Sequence, residues 1–259
     1  MINLSIILPS IRSHKLVDHF QSILGSCKNY SFELIVCSPY KIPKELLEKE
    51  NVHYIQDWGN PVRCQCLCAV KATGKYLTWS SDDSLFFPNS LDIAISELEK
   101  MGENEKNVVA IKYREGTGEN MEKDDYYKLK LAYPNCKYID DSWVIFNAAI
   151  MHTDYYKELG GFDARFETTA VSHADLAARA QIDKAAVKLL NLNLLYCEHM
   201  PGETFDHGPI HRGGLYNDHP LYREIYNNSS CLNRVRIPLT NYLDVPSVWK
   251  ERFPDKNAN

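Results

Sequence analysis

No stretch of this chain approaches the roughly 18 consecutive apolar residues that a membrane-spanning helix requires. Its opening, Met-Ile-Asn-Leu-Ser-Ile-Ile-Leu-Pro, lacks the basic start and the longer apolar run expected of a secretory leader. No Cys-x-x-Cys pair occurs among the eight cysteines, which argues against a zinc ribbon. Cys64, Cys66 and Cys68 alternate, a spacing that does not place three side chains on one helical face. All eight therefore read as free thiols, in keeping with a reducing, cytoplasmic setting. There is no strong excess of either charge: the formal net charge is −5 and the isoelectric point is near 6.0. That balance argues against broad binding to nucleic acid or anionic membranes, and it leaves a local basic pocket or peripheral membrane association open. There is also no internal repeat, no low-complexity tract and no segment of disordered composition.

What is present is an ordinary globular composition, 44% apolar and 24% charged over 259 residues, enough for one sizeable core. Leu4 to Leu8 is a continuous apolar run closed by Pro9, and reads as a buried parallel strand. Leu16, Val17, Phe20, Ile23 and Leu24 recur at helical spacing. Phe32–Cys37 and Val52–Ile55 predict further strands, with a short helix over Ile42–Lys49 between them. Asn60–Ala72 predicts a helix, with Pro61 at its start and Gly74 past its end. Lys75–Ser81 predicts the next strand. This alternation is that of an α/β protein with a parallel sheet and helices on both faces. Further on, helices are expected over Leu91–Leu98, His152–Leu159 and His173–Val187. Strands are expected over Val108–Tyr113, Ser142–Phe146 and Val187–Tyr196, and a loop over Glu115–Asp125. From Pro201 onward six prolines argue against long helices.

The Lys75–Ser81 strand runs straight into Asp82-Asp83. Ligands in open α/β sheets bind at the carboxyl ends of strands. Two adjacent carboxylates there form a hard oxygen site suited to Mg²⁺ or Mn²⁺ and phosphate. The competing reading is a solvated turn, since Asp and Ser are ordinary turn residues.

Four segments in order decide between these readings: Leu4–Pro9, Phe32–Val36, Ala72–Tyr76 through Asp82-Asp83, and Gly160-Gly161-Phe162-Asp163. Asp175-Leu176-Ala177-Ala178-Arg179 is a fifth. With these motifs the chain resembles, over roughly residues 3 to 197, the family 2 inverting nucleotide-sugar glycosyltransferases of GT-A fold. The resemblance implies a Rossmann-like, mixed but mostly parallel sheet. It also implies a nucleoside-diphosphate sugar donor (UDP-, GDP- or dTDP-linked), Mn²⁺ or Mg²⁺ on the diphosphate, and direct displacement at the anomeric carbon onto a hydroxyl of a glycan, lipid-linked or small-molecule acceptor. Polysaccharide biosynthesis is the implied setting. By the same resemblance Pro9, Ser10 and Arg12 lie where the nucleotide sits, Asp83 binds the metal, and Asp82 points toward the ribose. A histidine from beyond the catalytic domain joins the metal, with His199 and His207 as candidates. Gly161 of the Gly-Gly motif falls on the acceptor side. Trp143, beside Asp140-Asp141, is the aromatic expected to stack on the acceptor, with Tyr126-Tyr127 as second choice.

The chain departs from the pattern in three places. After the second strand the family often carries an acid that grips the base; here stands Ser38, a weaker hydrogen-bonding partner. Arg63 is either a surface arginine or a bidentate clamp on phosphate or base. The position of the catalytic acid is His173. Ser172 and Asp175 fit an S-x-x-D capping box, so Asp175 either caps its helix and pairs with Arg179 or assists catalysis. With Ser172 as N-cap, His173 becomes the first helical residue, where the helix dipole disfavours its protonation and leaves a neutral imidazole fit for a general base.

The expected organisation is a catalytic domain over residues 1–200, with a nucleotide-sugar half (1–115) and an acceptor half (116–200), and a Pro/His-rich extension (201–259) packed on it. A sugar-phosphate nucleotidylyltransferase is disfavoured because Pro9-Ser10-Ile11-Arg12-Ser13 lacks the glycine-rich loop of that class. The unusual acids leave a catalytically inactive nucleotide- or carbohydrate-binding module as the other alternative.

Overall fold

The computed structural model describes residues 2–116, 124–198 and 206–257. The elements in order are β1 (Leu4–Pro9), α1 (Leu16–Ser26), β2 (Phe32–Ser38), α2 (Lys44–Leu47), β3 (Val52–Gln56), α3 (Pro61–Lys71), β4 (Tyr76–Trp79), β5 (Ser84–Phe86) and α4 (Ser90–Lys100). They continue as β6 (Asn107–Glu115), α5 (Leu129–Ala132), β7 (Ala149–His152), α6 (Thr153–Glu158), α7 (Thr169–Ile182), β8 (Ala186–Cys197), α8 (Gly208–Gly213) and α9 (His219–Asn227). The strands form one eight-stranded sheet of order β3-β2-β1-β4-β7-β6-β8-β5. The β3-β2-β1-β4 half is parallel throughout; β7 runs antiparallel to both β4 and β6, β6 is parallel to β8, and β5 is an antiparallel edge. The α/β class with a mixed, mostly parallel sheet is thus as expected.

Alternation along β1 explains why it is apolar apart from Ser5: Leu4, Ile6 and Leu8 enter the core beneath α1 and α4, while Ile7 enters the core shared with α3 and α7. The turn leading into β4 is tied by Glu33 on β2, which accepts from Ser5 Oγ at 2.6 Å, from the Thr73 N–H at 2.7 Å and from Thr73 Oγ1 at 2.8 Å. Gly74 belongs to this turn because a Cβ there would lie 2.6 Å from the Ser5 nitrogen. All eight cysteines are free. Cys64 and Cys68 share a face of α3, Cys66 lies elsewhere with its thiol on the Phe162 carbonyl, and all three are buried because α3 is covered by the sheet and by α7.

Three expectations need correcting. Ser142–Phe146 is not a strand: Gln181 takes both backbone groups of Val144, donating to its carbonyl at 2.8 Å and accepting from its N–H at 2.9 Å, which leaves only an isolated bridge to Lys128. Helix α7 begins at Thr169 with Thr168 as N-cap, so Ser172 is interior and the capping box does not form. Here Asp218 does the capping from outside, accepting from the Glu167 N–H at 2.9 Å, the Thr168 N–H at 2.7 Å and Thr168 Oγ1 at 2.6 Å. Lastly, the tail is helical over 208–227, through α8, a π-turn over Gly214–Asp218, and α9. Pro209 is tolerated because it sits in the first turn of α8, where the missing N–H has no helical partner to lose, and Pro220 follows directly on the π-turn, where the regular helical hydrogen-bond pattern is already interrupted. The expected 115–125 loop falls mostly outside the described residues. No helix among the described residues is long and apolar enough to cross a membrane.

Candidate active site

The parallel strands β1 and β4 end side by side and deliver Pro9–Arg12 and Ser80–Asp83 to one cleft of about 260 Å³. Asp82 faces inward. Its Oδ2 accepts from Ser10 Oγ at 2.9 Å and from the N–H groups of Ile11 and Arg12 at 2.9 and 2.8 Å, and its Oδ1 takes the Arg12 guanidinium. With so many donors on one carboxylate, Asp82 shapes the β1–α1 loop rather than reaching toward a ribose. Asp83 keeps a face to the cleft: Oδ1 accepts from Ser81 Oγ, while Oδ2 lies 3.8 Å from both Arg12 Nη1 and His207 Nε2. Burial, with the charge of Arg12 nearby, holds the His207 imidazole below its usual range and therefore neutral.

Arg12 joins the two halves of the site. Besides Asp82, it forks onto the Asp206 carboxylate with Nε–Oδ2 at 2.9 Å and Nη2–Oδ1 at 3.0 Å, and Arg252 donates to the Asp206 carbonyl at 2.6 Å. Pro9, Ser10, Arg12, Asp82, Asp83 and His207 all line the cleft. His199 lies outside the described residues.

His173 also lines the cleft, beside Gln65, Trp79 and Asn147. It sits in the second turn of α7, so the helix terminus is not what keeps it neutral. Burial does: the ring is 7% exposed and its pKa is pushed down to about 3, the hydrogen bond to the Asn147 backbone offsetting this only in part. Its Nε2 lies 3.2 Å from Gln65 Nε2, and Gln65 Oε1 is buried without a hydrogen-bond partner among the described residues. In this orientation the amide donates to a neutral imidazole; rotated, it offers Oε1 to an imidazolium N–H. The ring is fixed further by Phe162 and Trp79, at centroid distances of 5.0 and 5.4 Å.

Asp175 does not share that cleft. It is fully buried, with Oδ2 on Arg179 Nε at 2.8 Å and Oδ1 on Arg234 Nη1 at 2.8 Å and Tyr226 Oη at 2.9 Å. Burial works to raise its pKa, but the two arginines outweigh it and hold the carboxyl below its ordinary value. The expected pairing with Arg179 is therefore present, and Arg234 adds a strut that ties the tail to α7. Asp175→Ala takes the carboxylate partner from the fully buried Arg179 and one of two from the partly buried Arg234, and is expected to destabilise the fold by about 3–5 kcal/mol. Urea unfolding checks this; a loss under about 1 kcal/mol, the range of an exposed pair, contradicts the structural role.

Four more expected site residues are placed elsewhere. Ser38 is buried, its Oγ accepting from the Tyr40 N–H at 3.1 Å. Arg63 is neither on the surface nor free to clamp a nucleotide: it grips Asp57 through Nε and Nη2 and donates to the carbonyls of Tyr242 and Val245. It thereby anchors the chain that leads to Trp249, Arg252 and Phe253, which do line the cleft. Trp143 packs against the core beside α5, whose Leu129 N–H donates to its carbonyl, outside the cleft walls. Gly161 has φ +67° and leaves room for the Tyr156 ring, while its carbonyl accepts from Arg179 Nη2 at 2.5 Å; its role is in the backbone. Gln65, Asn147 and Arg252 were not singled out in the sequence. Gln65 could have been found from its helix: it lies two residues after Arg63 in a predicted helix that starts beside the cleft.

No family model matches the chain, and no curated protein matches it in sequence. Solved structures do. Residues 1–349 of S. aureus TarS superpose with a TM-score of 0.58 at 15% identity, covering 90% of this chain and 71% of that one. The same TarS fragment with UDP gives 0.57 at 15% identity, covering 87% and 70%. With UDP-GlcNAc it gives 0.53 at 14%, covering 90% and 72%. At this identity the likeness is one of fold.

Proposed function

We propose that this protein is a metal-dependent inverting glycosyltransferase that moves a sugar from a nucleoside-diphosphate sugar to an acceptor hydroxyl. The observation that carries the reading is the convergence, in one cleft, of Asp83, His207 and Arg12 with the neutral imidazole of His173. The fold it shares with TarS, which has been solved with UDP and UDP-GlcNAc, supports a nucleotide-sugar donor, with UDP as the first choice.

The residues fit a divalent ion. Asp83 Oδ2 and a neutral His207 Nε2 face each other 3.8 Å apart. No cluster of three or more metal-ligating side chains occurs among the described residues. Mg²⁺-type ions on diphosphates need only one or two protein ligands, because phosphate and water oxygens supply the rest. Asp83 and His207 would hold the ion, which when bound neutralises the departing diphosphate.

The acceptor oxygen attacks the anomeric carbon opposite the leaving group, the bond to the diphosphate oxygen breaks, and the hydroxyl proton passes to His173 Nε2. A base this weak does not deprotonate a free hydroxyl. It accepts the proton late, once the new C–O bond has made that oxygen acidic, and the Gln65 amide turns Oε1 toward the new N–H.

Thermal shift with UDP, GDP, dTDP and CMP, each with and without Mn²⁺, tests the reading. Metal-dependent stabilisation by one of the diphosphates is expected; none with any nucleotide would sink it. The Asp206 carboxylate holds Arg12 as a phosphate would. Asp206→Asn is therefore expected to tighten UDP binding by up to about fivefold, the worth of one partly exposed ion pair. An unchanged or weaker Kd by calorimetry contradicts this competition.

A further inference from the structure

The turn between β4 and β5 carries both aspartates, and one buried imidazole holds its two ends. His19, on α1, is fully buried. Its Nδ1 lies 2.7 Å from the Ser84 carbonyl oxygen, and its Nε2 lies 3.1 Å from Ser80 Oγ. A carbonyl only accepts, so Nδ1 carries a proton. Burial lowers the pKa of the ring and keeps it neutral, which leaves Nε2 to accept from the Ser80 hydroxyl. One side chain thus spans the turn, accepting at its entrance and donating at its exit. Phe86, on β5, packs on the same ring at a centroid distance of 5.8 Å.

The turn closes without this help. The Ser84 N–H donates to the Ser81 carbonyl at 3.1 Å, and Ser84 Oγ donates to the same oxygen at 2.7 Å. Helix α1 is also joined to β5 without it, since Ser22 Oγ accepts from the Phe86 N–H at 3.2 Å. What His19 adds is the placing of the turn against α1. The side chain of Asp82 is tied to the β1–α1 loop by its own donors. The side chain of Asp83 has no such tie: Oδ1 takes Ser81 Oγ from within the same turn, and Oδ2 stands 3.8 Å from His207 Nε2. Its direction therefore follows the backbone of the turn. Ser80 and Ser84 are both buried, so loss of the imidazole leaves two polar groups that the turn must move to satisfy.

We propose that His19 is a positioning residue, which aims the Asp83 carboxylate at the divalent ion by pinning Ser80 and Ser84 to α1. The inference rests on the reading of Asp83 as a ligand of that ion. Losing a residue that orients a metal ligand from behind typically costs about 10- to 100-fold in metal affinity.

The test is calorimetric. UDP (or GDP or dTDP, whichever stabilises the chain most) is titrated into the full chain with saturating Mn²⁺ and again in EDTA. The ratio of the two dissociation constants measures what the ion contributes. His19→Phe keeps the bulk of a ring and loses both hydrogen bonds; it is expected to cut that ratio about tenfold and to leave the Kd in EDTA unchanged. His19→Asn can keep an N–H on the Ser84 carbonyl and is expected to lose only about threefold, the worth of one neutral hydrogen bond. Ser80→Ala removes the other partner and is also expected to lose about threefold, with no further loss when combined with His19→Phe. Ser22→Ala cuts a bond between the same helix and the same strand beyond the turn, and should keep the wild-type ratio. A purely structural role predicts instead that His19→Phe weakens the nucleotide equally with and without Mn²⁺; that result overturns the proposal, as does a wild-type ratio in His19→Phe. If His19→Phe does not fold, wild-type ratios in both His19→Asn and Ser80→Ala overturn it. A wild type whose nucleotide affinity is the same with and without Mn²⁺ sinks the metal reading and the role of His19 together, whereas a metal-dependent wild type matched by His19→Phe removes only the role of His19.

Discussion

Replacing Asp83 by alanine is expected to lower the rate of sugar transfer about 10²- to 10³-fold and to remove the metal-dependent part of nucleotide stabilisation. The size follows from what the carboxylate faces. Asp83 Oδ2 lies 3.8 Å from Arg12 Nη1 and from His207 Nε2, beyond hydrogen-bond distance of either, while Oδ1 accepts from the neighbouring Ser81 Oγ. Asp82, one residue earlier, is committed to Ser10, Ile11 and Arg12. The two aspartates should therefore fail differently. Asp83→Ala leaves the β1–α1 loop tied and the fold intact, so its loss appears in turnover and in metal dependence. Asp82→Ala releases four donors at once and should reduce stability as well as nucleotide affinity. Equal thermal stability of the two variants, or a metal response that survives in Asp83→Ala, contradicts this division.

The second large effect is at His173. His173→Ala is expected to lower kcat by about 10²- to 10⁴-fold, the span typical of a positioned general base, with little change in donor KM. The pH dependence separates this from a merely structural loss. The folded imidazole titrates near 3, against an ordinary value of 6.5. Above pH 3 it is already neutral, so the turnover profile should carry no limb from His173 between pH 5 and 8. Stability carries the complementary signature. Between pH 6.5 and 3 the unfolded chain binds a proton at this residue and the folded chain does not, so stability from this group is complete above 6.5. It falls as the solution is acidified through that window, by about 1.4 kcal/mol per pH unit. His173→Ala removes that slope. An acid limb in the wild-type profile near pH 6.5 that disappears in the variant would show an exposed, ordinary histidine and contradict the buried late base.

Most of the sheet was legible because its signals are local. Leu4–Leu8 and Phe32–Cys37 are apolar runs broken only by Ser5 and Glu33, the pattern of strands covered on both faces. Asn60-Pro61 marks the start of α3, and the Asn60 side chain caps it by accepting from the Arg63 N–H at 2.8 Å. The failures are long-range. Ser172 and Asp175 match a capping box in isolation, but the start of α7 is set by Asp218, 50 residues beyond Thr168. Val144 would extend a strand if Gln181 did not take both of its backbone groups. Arg63 and Ser38 looked like nucleotide contacts because of where they stand in the chain. Arg63 instead holds down the tail that brings Trp249, Arg252 and Phe253 to the cleft wall. Residues contributed by such docking leave no pattern at their own positions.

The most direct test of the account is donor turnover with water as the acceptor. The full chain is incubated with UDP-, GDP- and dTDP-sugars and Mn²⁺ while nucleoside diphosphate release and the anomeric proton of the freed sugar are followed by NMR. The account predicts release from at least one donor, dependent on Asp83, with the sugar first appearing in the anomeric configuration opposite to that of the donor. Release at the buffer rate from every donor, or a sugar first appearing with the donor's own configuration, would contradict it.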